Sequence, residues 1–168
     1  KGTVLVMGGG LGLGNVIDNI TRLDEVKEIS KFIVITGKNI NLYEKVAMLS
    51  EKLHHPVELH SYTNKVAEIM ARSELLVTKP GALTCTEALV MHLPMVLVNT
   101  LPGQERANAM HMKNQGCAEW VKRDELPSTV KHILTNPDLR LRMSKACGES
   151  LPDSESDVVR ILYDMMNK

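Results

Sequence analysis

The sequence predicts a single α/β domain, a doubly wound parallel sheet of about six strands, on three observations. Short apolar runs without polar alternation recur along the 168 residues, as expected of strands buried on both faces. Between them lie stretches with apolar residues at helical spacing, so strand and helix alternate throughout. The connections are short, and no linker, internal repeat or low-complexity tract divides residues 1–168. Right-handed crossovers then favour a Rossmann-like sheet of central order 3-2-1-4-5-6.

Thr3-Val4-Leu5-Val6-Met7 is the first strand, stopped by glycines. The run from Gly8 to Gly14 is a loop. The helix after it is expected from Asn15 to about Ile29, on Val16, Ile17, Ile20, Leu23 and Val26. Phe32 to Thr36 is the second strand, and Asn41 to Leu53 an amphipathic helix. Val57 to His60 is a short third strand, followed by a helix that Asn64 caps and that runs to about Arg72. Glu74–Thr78 and Pro94–Val98 are strands four and five, with a helix over Leu83–Met91 between them. Ala107 to Asn114 is helical and Gly116 ends it. Cys117–Val121 is the sixth strand. Helices over about 124–135, 137–146 and 155–166 close the chain.

Composition narrows the function classes. Hydrophobic residues make up 43% and charged residues 24%, the balance of a globular protein. Aromatics are only 3% and the formal net charge is zero, which argues against a base-stacking or electrostatically steered nucleic-acid binder. Cys85, Cys117 and Cys147 are odd in number and widely spaced, so they read as reduced thiols of a cytoplasmic protein. No apolar run approaches the ~18 residues of a membrane span. The chain enters a strand at Thr3 with no leader, so it is expected to be a piece of a longer protein. His54, His55 and His92 lack metal-ligand spacing and read as surface or satisfied histidines. His60 and His111 lie nearer the predicted crevice without a visible partner. Met110, Met112, Met165 and Met166 read as core filler.

In the predicted sheet a ligand sits where strand order reverses, between strands one and four. The glycine loop follows strand one and Lys79–Glu87 follows strand four, so both face one crevice. Five glycines in seven residues let backbone N–H groups approach a diphosphate. The spacing fits neither G-x-G-x-x-G nor a P-loop. Glu87, placed in a first helical turn, can accept from a ribose diol. Thr84-Cys85-Thr86-Glu87 also fits a capping box, but the predicted place at the crevice favours the ribose. Thr84 either reaches a phosphate or caps. Gln104 and Glu105 supply an amide and a carboxylate after strand five, with Asn108 three residues beyond, and this set either suits a polyhydroxylated ligand or is a polar loop leading into a helical turn. Tyr62-Thr63-Asn64 either lines a base pocket or is an ordinary connection. Lys38 stands where a dinucleotide site wants an acid.

Thr78-Lys79-Pro80-Gly81-Ala82-Leu83-Thr84, Glu87-Ala88-Leu89, Pro102-Gly103-Gln104-Glu105 and Asn108, with the Met7–Gly14 loop and the closing Met143-Ser144 region, closely resemble the C-terminal half of the monogalactosyldiacylglycerol synthase and processive diacylglycerol glucosyltransferase group. The peptidoglycan N-acetylglucosaminyl transferase is more distantly similar. The resemblance implies one half of a GT-B glycosyltransferase, a C-terminal domain that holds a UDP-sugar donor. Gly9, Gly10 and Gly12 would lie near the diphosphate, and Thr63 and Val66 near the uracil. Gly81, Ala82, Leu83 and Thr84 would face the phosphates, Glu87 the ribose, and Gln104, Glu105 and Asn108 the hexose. It further implies an N-terminal acceptor domain, absent here, that carries the catalytic base, so this piece would bind donor without transferring sugar. No cofactor and no metal is expected in this half. A membrane lipid acceptor and peripheral attachment would come through the other domain. The alternatives are an NAD(P)-binding oxidoreductase domain, against which the missing fingerprint and ribose acid speak, and a noncatalytic interaction domain.

Overall fold

The computed structural model describes residues 2–8, 15–98 and 103–150. Six strands, β1 (Gly2–Met7), β2 (Ile29–Ile35), β3 (Val57–His60), β4 (Leu75–Thr78), β5 (Met95–Leu97) and β6 (Ala118–Trp120), form one sheet. Its order is β3-β2-β1-β4-β5-β6, and every pairing is parallel. The expected order, with its reversal between β1 and β4, is what the chain adopts. The helices are α1 (Val16–Leu23), α2 (Ile40–Ser50), α3 (Val66–Ala71), α4 (Ala82–Val90), α5 (Gln104–Asn114), α6 (Leu126–Thr135) and α7 (Pro137–Glu149).

Alternation along each strand divides the core into two layers. Val4, Val6, Val34, Val77 and Val96 point to one face, where α1, α2 and α6 cover them through Ile20, Val46 and Val130. Leu5, Ile33, Leu76, Met95 and Leu97 point to the other, against Ile69 of α3, Ala88 of α4 and Ala109 of α5. This explains why the strands read as unbroken apolar runs. Cys85, Cys117 and Cys147 are free thiols within the second layer. Met112 packs against that layer, whereas Met110 is exposed. The Met110 expectation was wrong because its helix buries only Ala109.

Several element edges differ from expectation. The first helix ends at Leu23 rather than near Ile29, and Ile29 opens β2. Its apolar spacing continues through a turn in which Val26 N–H bonds Leu23 O and Ile29 N–H bonds Val26 O. Asp24 closes α1 and gives its carboxylate to the backbone N–H and ring Nδ1 of both His54 and His55, at 2.8–3.1 Å. Burial pushes the Asp24 pKa up, but those hydrogen bonds outweigh it and hold it below the usual range. Asn64 caps nothing: α3 begins at Val66, and the Thr63 hydroxyl accepts from Lys65 N–H at 3.1 Å. α5 begins at Gln104, so Gln104 and Glu105 occupy its first turn, not a loop ahead of it. The proposed helix over 155–166 lies outside the described residues. No helix among the described residues is long and apolar enough to cross a membrane.

Candidate functional site

The strand pairing places every candidate loop on one rim. His60, Ile35, Met7, Thr78, Leu97 and Trp120 are successive register partners from β3 to β6. Beyond that row the chain leaves the sheet at Gly8, Thr36, Ser61, Lys79 and Val98. Thr78 ties the two central exits together, its buried hydroxyl donating to Met7 O at 3.0 Å. Gly8 therefore leaves β1 beside the exit of β4 at Lys79. Gly9, Gly10 and Gly12 lie outside the described residues.

Gly81 is the N-cap of α4, and no side chain caps that helix. The N–H groups of its first turn, Ala82, Leu83 and Thr84, have no intrahelical acceptor by construction. Ala82 and Leu83 are exposed and Thr84 is buried. The Gly81 backbone is extended, and a Cβ added there would meet nothing within 4 Å. Neither backbone strain nor internal packing requires a glycine at this position, and the space before it is open. Gly103, which precedes α5, differs: its φ of +93° is one that L side chains rarely adopt.

Glu87 lies six positions beyond the N-cap, in the second turn of α4. The first-turn placement and the capping box are both overturned, because Pro80-Gly81 start the helix before Thr84 and no acid stands in its first turn. The Glu87 carboxylate is half-buried, and burial pushes its pKa up. Among the described residues no cation and no hydrogen-bond donor offsets that cost.

The loop after β4 and the helix after β5 are strapped together. Lys79 Nζ lies 2.6 Å from Glu105 Oε1, with both side chains largely buried. Asn108 Nδ2 donates to Pro80 O at 3.1 Å. Two of the three residues expected after β5 thus reach back to the turn before α4, while Gln104 is exposed. The sequence reading passed over Lys79 as a site residue. The available signal was its isolation as the one Lys or Arg between Arg72 and Arg106, facing a region that holds Glu87 and Glu105. Burial and, after it, the Glu105 charge push the Cys85 thiol up to about 12, away from the thiolate form that a nucleophile needs.

At the other end of the rim, Gly37, Lys38, Ile40, Tyr43, Ser61 and Tyr62 line a cavity of about 420 Å³. Lys38 Nζ sits 5.1 Å from the centre of the Tyr62 ring. Thr63 is half-buried and not among the lining residues, and Val66 packs against the α3–α4 apolar layer. His60, expected without a partner, is 2.8 Å from Glu58 Oε1 through Nε2. Glu58 also accepts from Lys31 at 2.9 Å and from Arg72. The Arg72, Lys31 and His60 bonds, in that order, hold its pKa at about 2.

Over 173 residues the chain is 30% identical to the processive diacylglycerol beta-glucosyltransferase of Bacillus subtilis (strain 168), covering 100% of this chain and 44% of that protein. It is 29% identical over 175 residues to a probable chloroplastic monogalactosyldiacylglycerol synthase of Nicotiana tabacum, covering 96% of this chain and 31% of that one. The chain thus spans less than half the length of these relatives. An S. aureus TarM variant, crystallised with Fondaparinux, alpha-GlcNAc-glycerol and UDP, superposes with a TM-score of 0.73 at 16% identity, over 97% of this chain and 35% of that one. The Glycosyltransferase family 28 C-terminal domain matches residues 3–158, and the chain belongs to that family.

Proposed function

We propose that this chain is the UDP-sugar-binding domain of a hexosyltransferase that moves glucose or galactose to a diacylglycerol-type lipid. The observation that carries the reading is the strapped rim. The turn before α4 leaves beside the exit of β1 and is held to α5 by the Lys79–Glu105 and Asn108–Pro80 contacts. A pyrophosphate seated there meets the N–H groups of the first turn of α4 and the positive end of that helix. The open space before Gly81 lets a phosphate approach the backbone. Glu87 is a partly desolvated acceptor without a donor among the described residues, and a ribose diol supplies two. Gln104, Glu105 and Asn108 sit together in the first turns of α5, within reach of a hexose. The base meets the loop after β3, near Thr63 and Val66.

The names of the relatives supply the sugar and the acceptor class in this reading. An acceptor hydroxyl, activated by a base on a further domain of the protein, attacks the anomeric carbon and displaces UDP. This domain's part is to hold the donor and stabilise the charge developing on the departing diphosphate. Isothermal titration of the chain with UDP, UDP-glucose, UDP-galactose, UDP-N-acetylglucosamine and NADPH tests the proposal. Binding of UDP ligands in preference to NADPH is expected. Preference for NADPH would make this an oxidoreductase domain, and binding of none would remove the nucleotide site altogether.

A further inference from the structure

We propose that Lys79 is an exchangeable cation, held by Glu105 in the unliganded chain and transferred to a phosphate of the bound nucleoside diphosphate. The inference rests on the nucleotide-sugar reading and adds to it a coupling between the phosphate and sugar subsites. Lys79 directly follows β4 and stands two residues before the N-cap of α4. Its ammonium is 2.6 Å from the Glu105 carboxylate, and the two side chains are only 20% and 16% exposed. Asn108 fixes the backbone at Pro80, so the turn keeps its place while the four-carbon lysine stem can rotate.

Charge favours the exchange. With Lys79 on Glu105 the pair is neutral, and Glu87 leaves a negative charge on α4, about 9 Å along its axis from Gly81. A diphosphate entering that field meets repulsion unless a cation turns toward it. It carries more than one negative charge, against one on the carboxylate, so a lysine between them gains by moving to the phosphate. Once Lys79 has moved, the Glu105 carboxylate faces the hexose with an acceptor position that sugar hydroxyls can fill. Phosphate binding thereby prepares sugar binding.

The signs of two substitutions separate this from a merely structural ion pair. Uridine, UDP and UDP-glucose are titrated into the chain and its variants, with thermal unfolding followed in parallel. Lys79→Met is expected to reduce the advantage of UDP over uridine by at least about tenfold, the loss of one charge-assisted hydrogen bond. Glu105→Gln is expected to bind UDP several-fold more tightly than the unaltered chain, because Lys79 no longer has a competing carboxylate. It should also lose part of the advantage of UDP-glucose over UDP. If UDP binding weakens or stays the same in Glu105→Gln, the exchange is wrong and the pair only holds the loop. Should Lys79→Met fail to fold, the Glu105→Gln result decides alone. If the unaltered chain binds no UDP, the nucleotide-sugar reading itself has failed and the inference falls with it.

Discussion

Glu58 on β3 and Glu87 on α4 are both half-buried glutamates, and their surroundings are opposite. Glu58 is ringed by Arg72, Lys31 and His60, which hold its pKa at about 2. Glu87 has neither cation nor donor among the described residues, and burial moves its pKa the other way. The first carboxylate is spent on the fold, joining β2, β3 and the end of α3. The second costs the fold something and, among the described residues, receives nothing in return. A desolvated acceptor that the protein does not satisfy is what a ligand-binding position looks like before the ligand arrives.

The sharpest way to break this contrast is to delete both carboxylates separately. Glu87→Ala should weaken UDP binding by about 100-fold, the effect of roughly 3 kcal/mol in charge-assisted hydrogen bonds, measured by calorimetry. Its unfolding midpoint should stay within about 2 °C of the unaltered chain; a parallel loss of stability would assign Glu87 to the helix instead. Glu58→Gln should do the reverse. It should cost about 1–2 kcal/mol in urea unfolding, allowing for the partial exposure of its partners, with UDP affinity unchanged.

The two glycines that precede helices on the rim sharpen the same distinction. Gly103→Ala forces an L side chain to φ +93° and should cost about 1 kcal/mol or more in stability. Gly81→Ala has room for its methyl group and an extended backbone, so its stability should not fall, while UDP affinity drops several-fold as the methyl occupies the phosphate approach.

The smallest effect is in pH dependence, where the two acids carry opposite signs. The Glu58 contribution is fully present above its ordinary pKa of 4.5 and is lost as pH falls toward about 2, so Glu58→Gln should flatten the acid limb of the stability curve. The raised pKa of Glu87 means that its ionised form subtracts from stability above the folded value, and protonation relieves this on acidification. Glu87→Gln should therefore be slightly more stable at neutral pH, with the gain vanishing at low pH. Urea unfolding from pH 3 to 7 checks both slopes.

The sheet was legible because its strands are buried on both faces, which leaves unbroken apolar runs, and because crossover handedness restricts the strand order. Local signals misled where tertiary contacts overrode them. The apolar spacing that carries a helix through Ile29 continues across a turn anchored by Asp24 and two histidines from thirty residues away. Thr84-x-x-Glu87 has the letters of a capping box, yet the helix has its N-cap at Gly81, three residues earlier than that box requires. Lys79 stands out in the sequence as an isolated cation, but its pairing with Glu105 does not. That pairing depends on how the β4 turn meets the first turn of α5, which no spacing within either segment encodes. Glu87 itself was legible as a candidate, although the reason it qualifies, an acceptor lacking a donor among the described residues, is visible only in three dimensions.

The buried thiols carry a practical consequence. Cys85 and Cys147 are pushed up to about 12, and Cys117 is fully enclosed. A maleimide dye should therefore leave the folded chain unlabelled at neutral pH. Leu83 on the rim is 74% exposed, so Leu83→Cys would introduce a single reactive handle beside the proposed diphosphate approach. A fluorophore attached there would report occupancy in real time without first removing any native cysteine.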